Sequence, residues 1–241
     1  MQSKAVFLLS TACIFASAGA ADAQIVFDAS SAPSRFSIGV DFAISQPKGE
    51  FATAGIPTGY GFDVTGLYRI DPQGWFAIRA DGGGVQYGHE NIRLGFITGR
   101  VPISLNTDNR FGFGSLGIQL QFPDGFIRPY ASASYAPVYF YTQSCVSADD
   151  NSFADQCNTN HGDWTSAGVF GGGFTIPFGK SLGGLNLGAQ YHYGGRATYL
   201  KKGDITDNPD GTVTLNLHES KTDLVLWQIG VTFAIPRSTG H

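Results

Sequence analysis

The chain reads as an all-β protein, an eight-stranded antiparallel up-and-down transmembrane β-barrel. Three observations lead there. Eight segments of 11 residues or more alternate side-chain character with a period of two. The connections between them alternate strictly between long and short. In most segments one face is aliphatic or aromatic without interruption. Composition agrees: of 241 residues, 33 are glycine and 13% aromatic, with a single methionine. That is too aromatic for a disordered chain. Charged residues make up only 14%, against about a quarter in soluble domains. The formal charge of −4 comes with no basic block, which excludes nucleic-acid binding on electrostatic grounds.

The N-terminus reads as an export address. Lys4 precedes the uncharged stretch 5–20, and Ala21-Asp22-Ala23 supplies a small-x-small end. This describes a signal peptide over residues 1–23, too short for a membrane helix. Cys13 raises lipoprotein processing, but Ser10-Thr11-Ala12-Cys13 lacks the leucine expected three residues earlier. Without Cys13 two cysteines remain, Cys145 and Cys157, 12 residues apart. In an exported chain they read as one disulfide, worth roughly 3 kcal/mol by loop closure. His161 is the only obvious further ligand nearby, so no metal site and no cofactor are expected.

In order, residues 24–34 form a periplasmic lead-in, residues 35–235 the barrel and residues 236–241 a tail. The first strand, 35–45, puts Phe36, Ile38, Val40, Phe42 and Ile44 on one face. Six more follow at 60–70, 75–87, 110–122, 126–141, 164–178 and 185–199. The eighth, 224–235, aligns Val225, Trp227, Ile229, Val231, Phe233 and Ile235. Gly82-Gly83-Gly84 marks an expected bulge in the third. Asp71-Pro72-Gln73-Gly74, Pro123-Asp124-Gly125 and 179–184 are short turns; 46–59, 88–109, 142–163 and 200–221 are long. Short periplasmic turns and long external loops are the habit of membrane barrels. An even strand count returns both termini to the periplasmic side. Each segment meets the ~9–11 residues a tilted spanning strand needs. Unpaired backbone groups cost too much in hydrocarbon, so the sheet must close. Ile92, Leu94, Phe96 and Ile97 suggest that the third and fourth strands continue past the membrane as a hairpin.

The greasy face must meet lipid. A soluble eight-stranded barrel would turn it inward, around a ligand. The opposite face carries Asp41, Asp63, Arg69, Arg79, Asp81, Arg128 and Arg196, with Gln190 and His192 beside them. These nine form the expected polar network of the lumen, a plug of ion pairs and glycines. Arginine suits such buried, multiply bonded pairs better than lysine, and every lysine after Lys4 falls in a connection. Tyr60, Tyr68, Trp75, Tyr87, Tyr139, Tyr141, Trp164, Tyr199 and Trp227 lie near strand ends, as interfacial girdles would place them.

Four segments carry a resemblance: residues 35–45, Phe76-Ala77-Ile78-Arg79-Ala80-Asp81, Ile127-Arg128-Pro129-Tyr130, and Leu226-Trp227-Gln228-Ile229-Gly230-Val231-Thr232-Phe233. Over residues 35–235 the chain resembles the small outer-membrane barrels of the OmpA/OmpX-like superfamily. The resemblance implies a bacterial outer-membrane address and contact with outer-membrane lipids and lipopolysaccharide. The last strand, with Trp227 and Phe233, looks like the signal read by the barrel-assembly machinery, although eight residues follow Phe233. The superfamily includes anchors, adhesins, host-defence evasion proteins and a few enzymes. No peptidoglycan-binding domain is expected after the barrel.

Other motifs are weaker. Gly112-Phe113-Gly114-Ser115-Leu116-Gly117 matches a dinucleotide fingerprint, but inside a strand with no helix after it. Gly179-Lys180-Ser181 ends a near-miss of a phosphate loop. Barrels that deacylate lipid A use a histidine, a serine two residues later and a glutamate; two residues after His192 stands Gly194, so the nucleophile is missing. The acids Asp149, Asp150, Asp155, Asp163, Asp204, Asp207 and Asp210 fit no calcium loop. The expectation is a monomeric, non-enzymatic protein serving envelope integrity or surface interaction, its surface ligand unknown. A narrow pore through inward glycines (Gly39, Gly61, Gly188, Gly230) and a lipid-modifying enzyme are the alternatives.

Overall fold

The computed structural model describes residues 34–94, 103–148, 156–178, 183–208, 210 and 212–235. The expected signal peptide, nearly all of the lead-in, the tail, and Asp149, Asp150, Asp155 and Lys180 lie outside them.

Eight strands close a ring in which every neighbour is antiparallel. They are β1 (Phe36–Pro47), β2 (Gly59–Arg69), β3 (Phe76–Leu94), β4 (Ile103–Gln121), β5 (Arg128–Ala148), β6 (Gln156–Pro177), β7 (Gly183–Gly194) and β12 (Leu224–Ile235). A short helix, α1 (Gly49–Thr53), follows β1; β8 (Arg196–Tyr199), β9 (Ile205–Asp207), β10 (Val213–Leu215) and β11 (His218–Lys221) lie between β7 and β12. β1 and β12 close the ring from Phe36↔Ile235 to Pro47↔Leu224. No free sheet edge remains at membrane depth, which is what hydrocarbon requires.

The exterior settles which way the barrel faces. Phe62, Leu116, Ile118 and Phe170 are 64%, 65%, 65% and 61% exposed, and Ile38, Val40, Phe42, Val64, Ile78 and Ile229 also point out. A monomer in water does not tolerate so wide an apolar belt; lipid does. At the short turn between β2 and β3 the Asp71 carboxylate accepts the Trp75 and Phe76 backbone N–H groups at 2.9 and 2.7 Å, while Gly74 takes φ +82°.

Three expectations about elements need correction. First, 142–163 is mostly strand. β5 and β6 are 21 and 22 residues long and stay paired to Val146↔Gln156, with one register shift between Thr142 and Gln143. Second, the glycine triplet is not a bulge. β2 and β3 stay in register through it, and the shift against β4 falls between Gln86 and Gly88. A Cβ at Gly83 would stand 2.7 Å from the Phe62 carbonyl and 2.8 Å from the Phe113 ring. Glycine there admits a lumen ring. Third, 185–199 is two strands. The chain leaves the barrel wall after Gly194, where a Cβ would strike the Thr222 backbone, and β8 pairs with β11 instead.

Candidate functional site

The candidate site has two parts, a filled lumen and the structure that rises above it. Alternation puts one residue in two inside, and the inward residues sort into layers.

The half of the lumen beside the short turns is polar. Arg79 is its hub. Its Nε donates to both Asp81 oxygens at 2.9 Å, Nη1 to Gln119 Oε1 at 2.8 Å and Nη2 to Thr65 Oγ1 at 3.2 Å. Thr65 and Ser115 hydroxyls donate to Asp81 at 2.8 Å each. Asp41 and Asp63 face each other across β1 and β2. Asn186 donates to Asp41 at 2.7 Å, Gln228 donates to Asp63, and the Tyr130 hydroxyl donates to Asn186 at 3.0 Å. The Arg79 guanidinium also stands 5.8 Å from the centre of the Tyr130 ring. All eight of Asp41, Asp63, Thr65, Arg79, Asp81, Gln119, Asn186 and Gln228 are buried.

Of the nine expected lumen residues, Asp41, Asp63, Arg79 and Asp81 meet in this layer. Arg69 and Arg128 do not. They are half-buried at the mouth beside the short turns, where Arg69 Nη1 donates to the Ser34 carbonyl at 3.1 Å. Among the described residues no ion pair joins either to the aspartates. Arg196 is a correction: it lies outside the lumen, on β8 at the rim opposite the short turns. It is 55% exposed and pairs with Glu219 at 2.9 Å and Glu50 at 3.4 Å. It follows the break after Gly194, so it has left the barrel wall. The layer therefore holds three carboxylates and one guanidinium, rather than a balanced set.

The other half of the lumen, toward the long connections, is largely apolar, which the period-two reading missed. Phe51 of α1 inserts from above, its ring 5.1 Å from Tyr199, 5.8 Å from Phe140 and 6.2 Å from Tyr87. Val85, Phe111, Phe113, Val138, Val169, Leu224 and Leu226 complete the plug. Tyr87 and Tyr199, expected in the girdle, are buried here. Their hydroxyls reach the Leu200 carbonyl at 3.1 Å and Ser220 Oγ at 2.7 Å, which lets them be buried without an orphaned polar atom. Tyr60, Tyr68, Trp75, Trp164 and Trp227 are exposed to the outside as expected, and so is Phe233 of the last strand. His192 lies between the layers. Its ring is edge-on to Phe113 at 5.3 Å, and Nε2 is 3.3 Å from Gln190 Oε1. It and Gln190 are buried, and among the described residues no hydroxyl nucleophile bonds the imidazole.

Above the membrane, β3 to β6 continue as a four-stranded sheet, paired as far as Leu94↔Ile103 and Ile103↔Ala148. Cys145 and Cys157 sit opposite each other in register and form a disulfide. Replacing both cysteines with serine is expected to raise proteolysis of the 142–161 hairpin while leaving the heat-dependent gel shift of the barrel unchanged. The bridge closes only a local loop, at about 3 kcal/mol by loop-closure entropy.

The β8–β11 hairpin folds over the rim against β6. Asp163 accepts the Thr198 backbone N–H at 2.7 Å and its hydroxyl at 2.8 Å. The backbone N–H first, and the hydroxyl with it, hold the Asp163 carboxyl below its ordinary value of 3.8. A carboxyl depressed in the folded state contributes fully above its unfolded value and loses that contribution as pH falls through the folded one. Acidification below about pH 4 is therefore expected to loosen this hairpin. Hydrogen exchange at 196–199 is the readout, and Asp163→Asn should show the loosening at neutral pH.

An apolar exterior, a filled lumen and a closed eight-strand ring define a transmembrane β-barrel of the outer-membrane type. Residues 7–232 match the outer membrane protein beta-barrel domain family, and the chain belongs to it. Among solved structures it is similar to Neisserial surface protein A, with 14% identity, TM-score 0.43, and 85% of this chain and 100% of that chain covered. It is similar also to Ail, the attachment invasion locus protein of Yersinia pestis (11%, 0.40, 84% and 97%), and to a major outer membrane protein from Thermus thermophilus (11%, 0.41, 82% and 98%). No curated protein matches the chain.

Proposed function

We propose that this is a non-enzymatic protein of the bacterial outer membrane that binds a surface partner through its protruding sheet. The observation that carries the reading is the continuation of β3–β6 beyond the girdle, cross-linked by Cys145–Cys157. The outer edges of that sheet belong to β3 and β6, since β2 begins at Gly59 and β7 ends at Gly194. A rigid strand edge with unpaired backbone groups can add a partner's strand. The signal peptide at 1–23 would export the chain, and the assembly machinery would read the last strand through Trp227 and Phe233. Closure of the ring favours a monomer. The two-layered plug favours a closed barrel over a pore, and the isolated His192 argues against lipid chemistry.

The test compares cells displaying the full protein with cells in which residues 90–107 and 143–159 are each replaced by a two-residue turn. Adhesion to immobilised host-surface and matrix proteins is expected to fall in the trimmed strain, with the barrel still shifting on heating. Equal adhesion by both strains would remove the reading.

A further inference from the structure

The mouth beside the short turns carries a feature that the polar layer and the protruding sheet leave unused. Period two turns Arg69 of β2 and Arg128 of β5 into the bore, from strands three apart in the ring. The two guanidiniums are near enough to repel one another. Charges half-withdrawn from water normally carry a counter-charge. Here, among the described residues, neither arginine has an ion-pair partner. Arg128 hydrogen-bonds none of them, and Arg69 makes one bond, to the Ser34 carbonyl at 3.1 Å. The Nε of each is buried and unpaired.

The acceptors of the same mouth are spent elsewhere. Gln119 Oε1 takes Arg79 Nη1 at 2.8 Å, and Gln121 Oε1 takes Gln119 Nε2 at 2.9 Å. Gln121 Nε2 closes the run on the Gly74 carbonyl at 3.3 Å. Asp71, the carboxylate whose field reaches Arg69, is turned to the Trp75 and Phe76 N–H groups. A further donor lies one inward step deeper. Ser37, in register with Leu67 on the strand that carries Arg69, has a buried hydroxyl without a partner. Two guanidiniums and a hydroxyl thus serve one mouth with donors to spare.

We propose that this mouth binds a tetrahedral oxyanion of the phosphate class, free phosphate or a phosphate monoester, held between Arg69 and Arg128. A guanidinium fork matches phosphate oxygens two at a time. A planar carboxylate fills one fork, whereas a tetrahedral anion offers oxygens to two forks that come from different walls. A phosphate monoester carries about −1.5 to −2 charge at neutral pH, enough to offset both arginines. A phosphodiester carries a single charge and brings two ester arms into a half-buried site. Bound there, the anion links β2 to β5 across the bore and closes the end of the lumen away from Phe51. The site is independent of what the protruding sheet binds.

The test uses the full folded protein in detergent micelles, titrated with inorganic phosphate or with acetate at equal ionic strength and followed by calorimetry. The urea midpoint is read in parallel, because a ligand of the folded state alone raises it. The variants are Arg69→Gln, Arg128→Gln and the two together. Arg35→Gln, an exposed arginine whose carbonyl accepts the Arg69 backbone N–H at the same mouth, controls for generic positive charge. Folding of each is verified by its heat-dependent gel shift. Each single variant is expected to bind phosphate about tenfold more weakly, the size of one lost charge-assisted hydrogen bond, and the double variant about a hundredfold, with the control unchanged. Phosphate should raise the midpoint of the parent and leave that of the double variant where it is. An unmoved midpoint in the parent, equal binding by parent and double variant, or an equal loss in Arg35→Gln would overturn the site. Acetate binding as tightly as phosphate, or displacement of phosphate by phosphatidylglycerol added to the micelles, would overturn the assignment of its occupant.

Discussion

Replacing Arg79 with glutamine is expected to produce the largest loss of stability of any single change in the barrel, about 3–5 kcal/mol, because it leaves buried charge uncompensated. Among the described residues Arg79 is the only guanidinium bonded within the layer that holds Asp41, Asp63 and Asp81. It makes bonds to Asp81, Gln119 and Thr65 together, so removing it takes a partner from three neighbours. Urea unfolding in lipid vesicles, followed by tryptophan fluorescence, is the measurement. The partner variant fixes the interpretation. Asp81→Asn in the Arg79→Gln background removes the unpaired charge and should recover part of the loss, a non-additivity that a double-mutant cycle reads directly. Asp63→Asn is expected to do little or to stabilise, since it removes one of three negative charges that share one cation. Strict additivity of Arg79→Gln and Asp81→Asn would mean that the two do not act as a pair.

Phe51→Ala is expected to have the second largest effect and a different character. Truncating a fully buried phenylalanine costs about 3–5 kcal/mol where the surroundings cannot collapse. Here the ring belongs to a five-residue helix outside the barrel wall, so the loss should fall on that helix and not on the ring of strands. Hydrogen exchange at 49–55 should rise steeply while the heat-dependent gel shift persists, the signature of local rather than global opening. Planar bilayers holding the variant should stay electrically silent. Phe111, Phe113 and Phe140 still fill the bore beneath, and the polar layer lies below them. Current through the variant would show that Phe51 is a gate, and would revive the pore that the inward glycines suggested.

Sequence reading reached the architecture because the barrel is governed by local rules. Alternation in 224–235 has the same bounds that β12 shows, and Asp71-Pro72-Gln73-Gly74 turns where its residues say it should. Asp41, Asp63, Arg79 and Asp81 were legible as inward residues because a charge on a spanning strand has nowhere else to go. Arg196 was not, because its place depends on whether the strand continues past Gly194, and that is decided by the close passage of Thr222. The glycine triplet misled for a similar reason. Glycine at 83 answers to a ring on the neighbouring strand, which no single-strand pattern reports.

A cluster around Asp108 escaped the sequence entirely: His89 Nδ1 lies 2.7 Å from one carboxylate oxygen and Arg110 Nη2 pairs with the other. His89 and Asp108 sit in what read as a long loop, with Arg110 at its edge. Their meeting depends on the β3–β4 register, displaced by the irregularity between Gln86 and Gly88. The aromatic plug escaped because polarity inverts partway along β4. Leu116, Ile118 and Leu120 point to lipid, but Phe111 and Phe113 point inward. A rule that sends the greasy face outward works only where one face is greasy.

Strand number, connection order, the outward lipid face and the inward aspartates were thus written into the chain itself. They follow from period two and from the cost of unpaired backbone or charge in hydrocarbon. Which inward residues meet was left to the closed fold. Closing the ring sets the strand registers, and register alone brings three carboxylates to one arginine, drops Phe51 into the bore and gathers His89 and Arg110 around a single carboxylate.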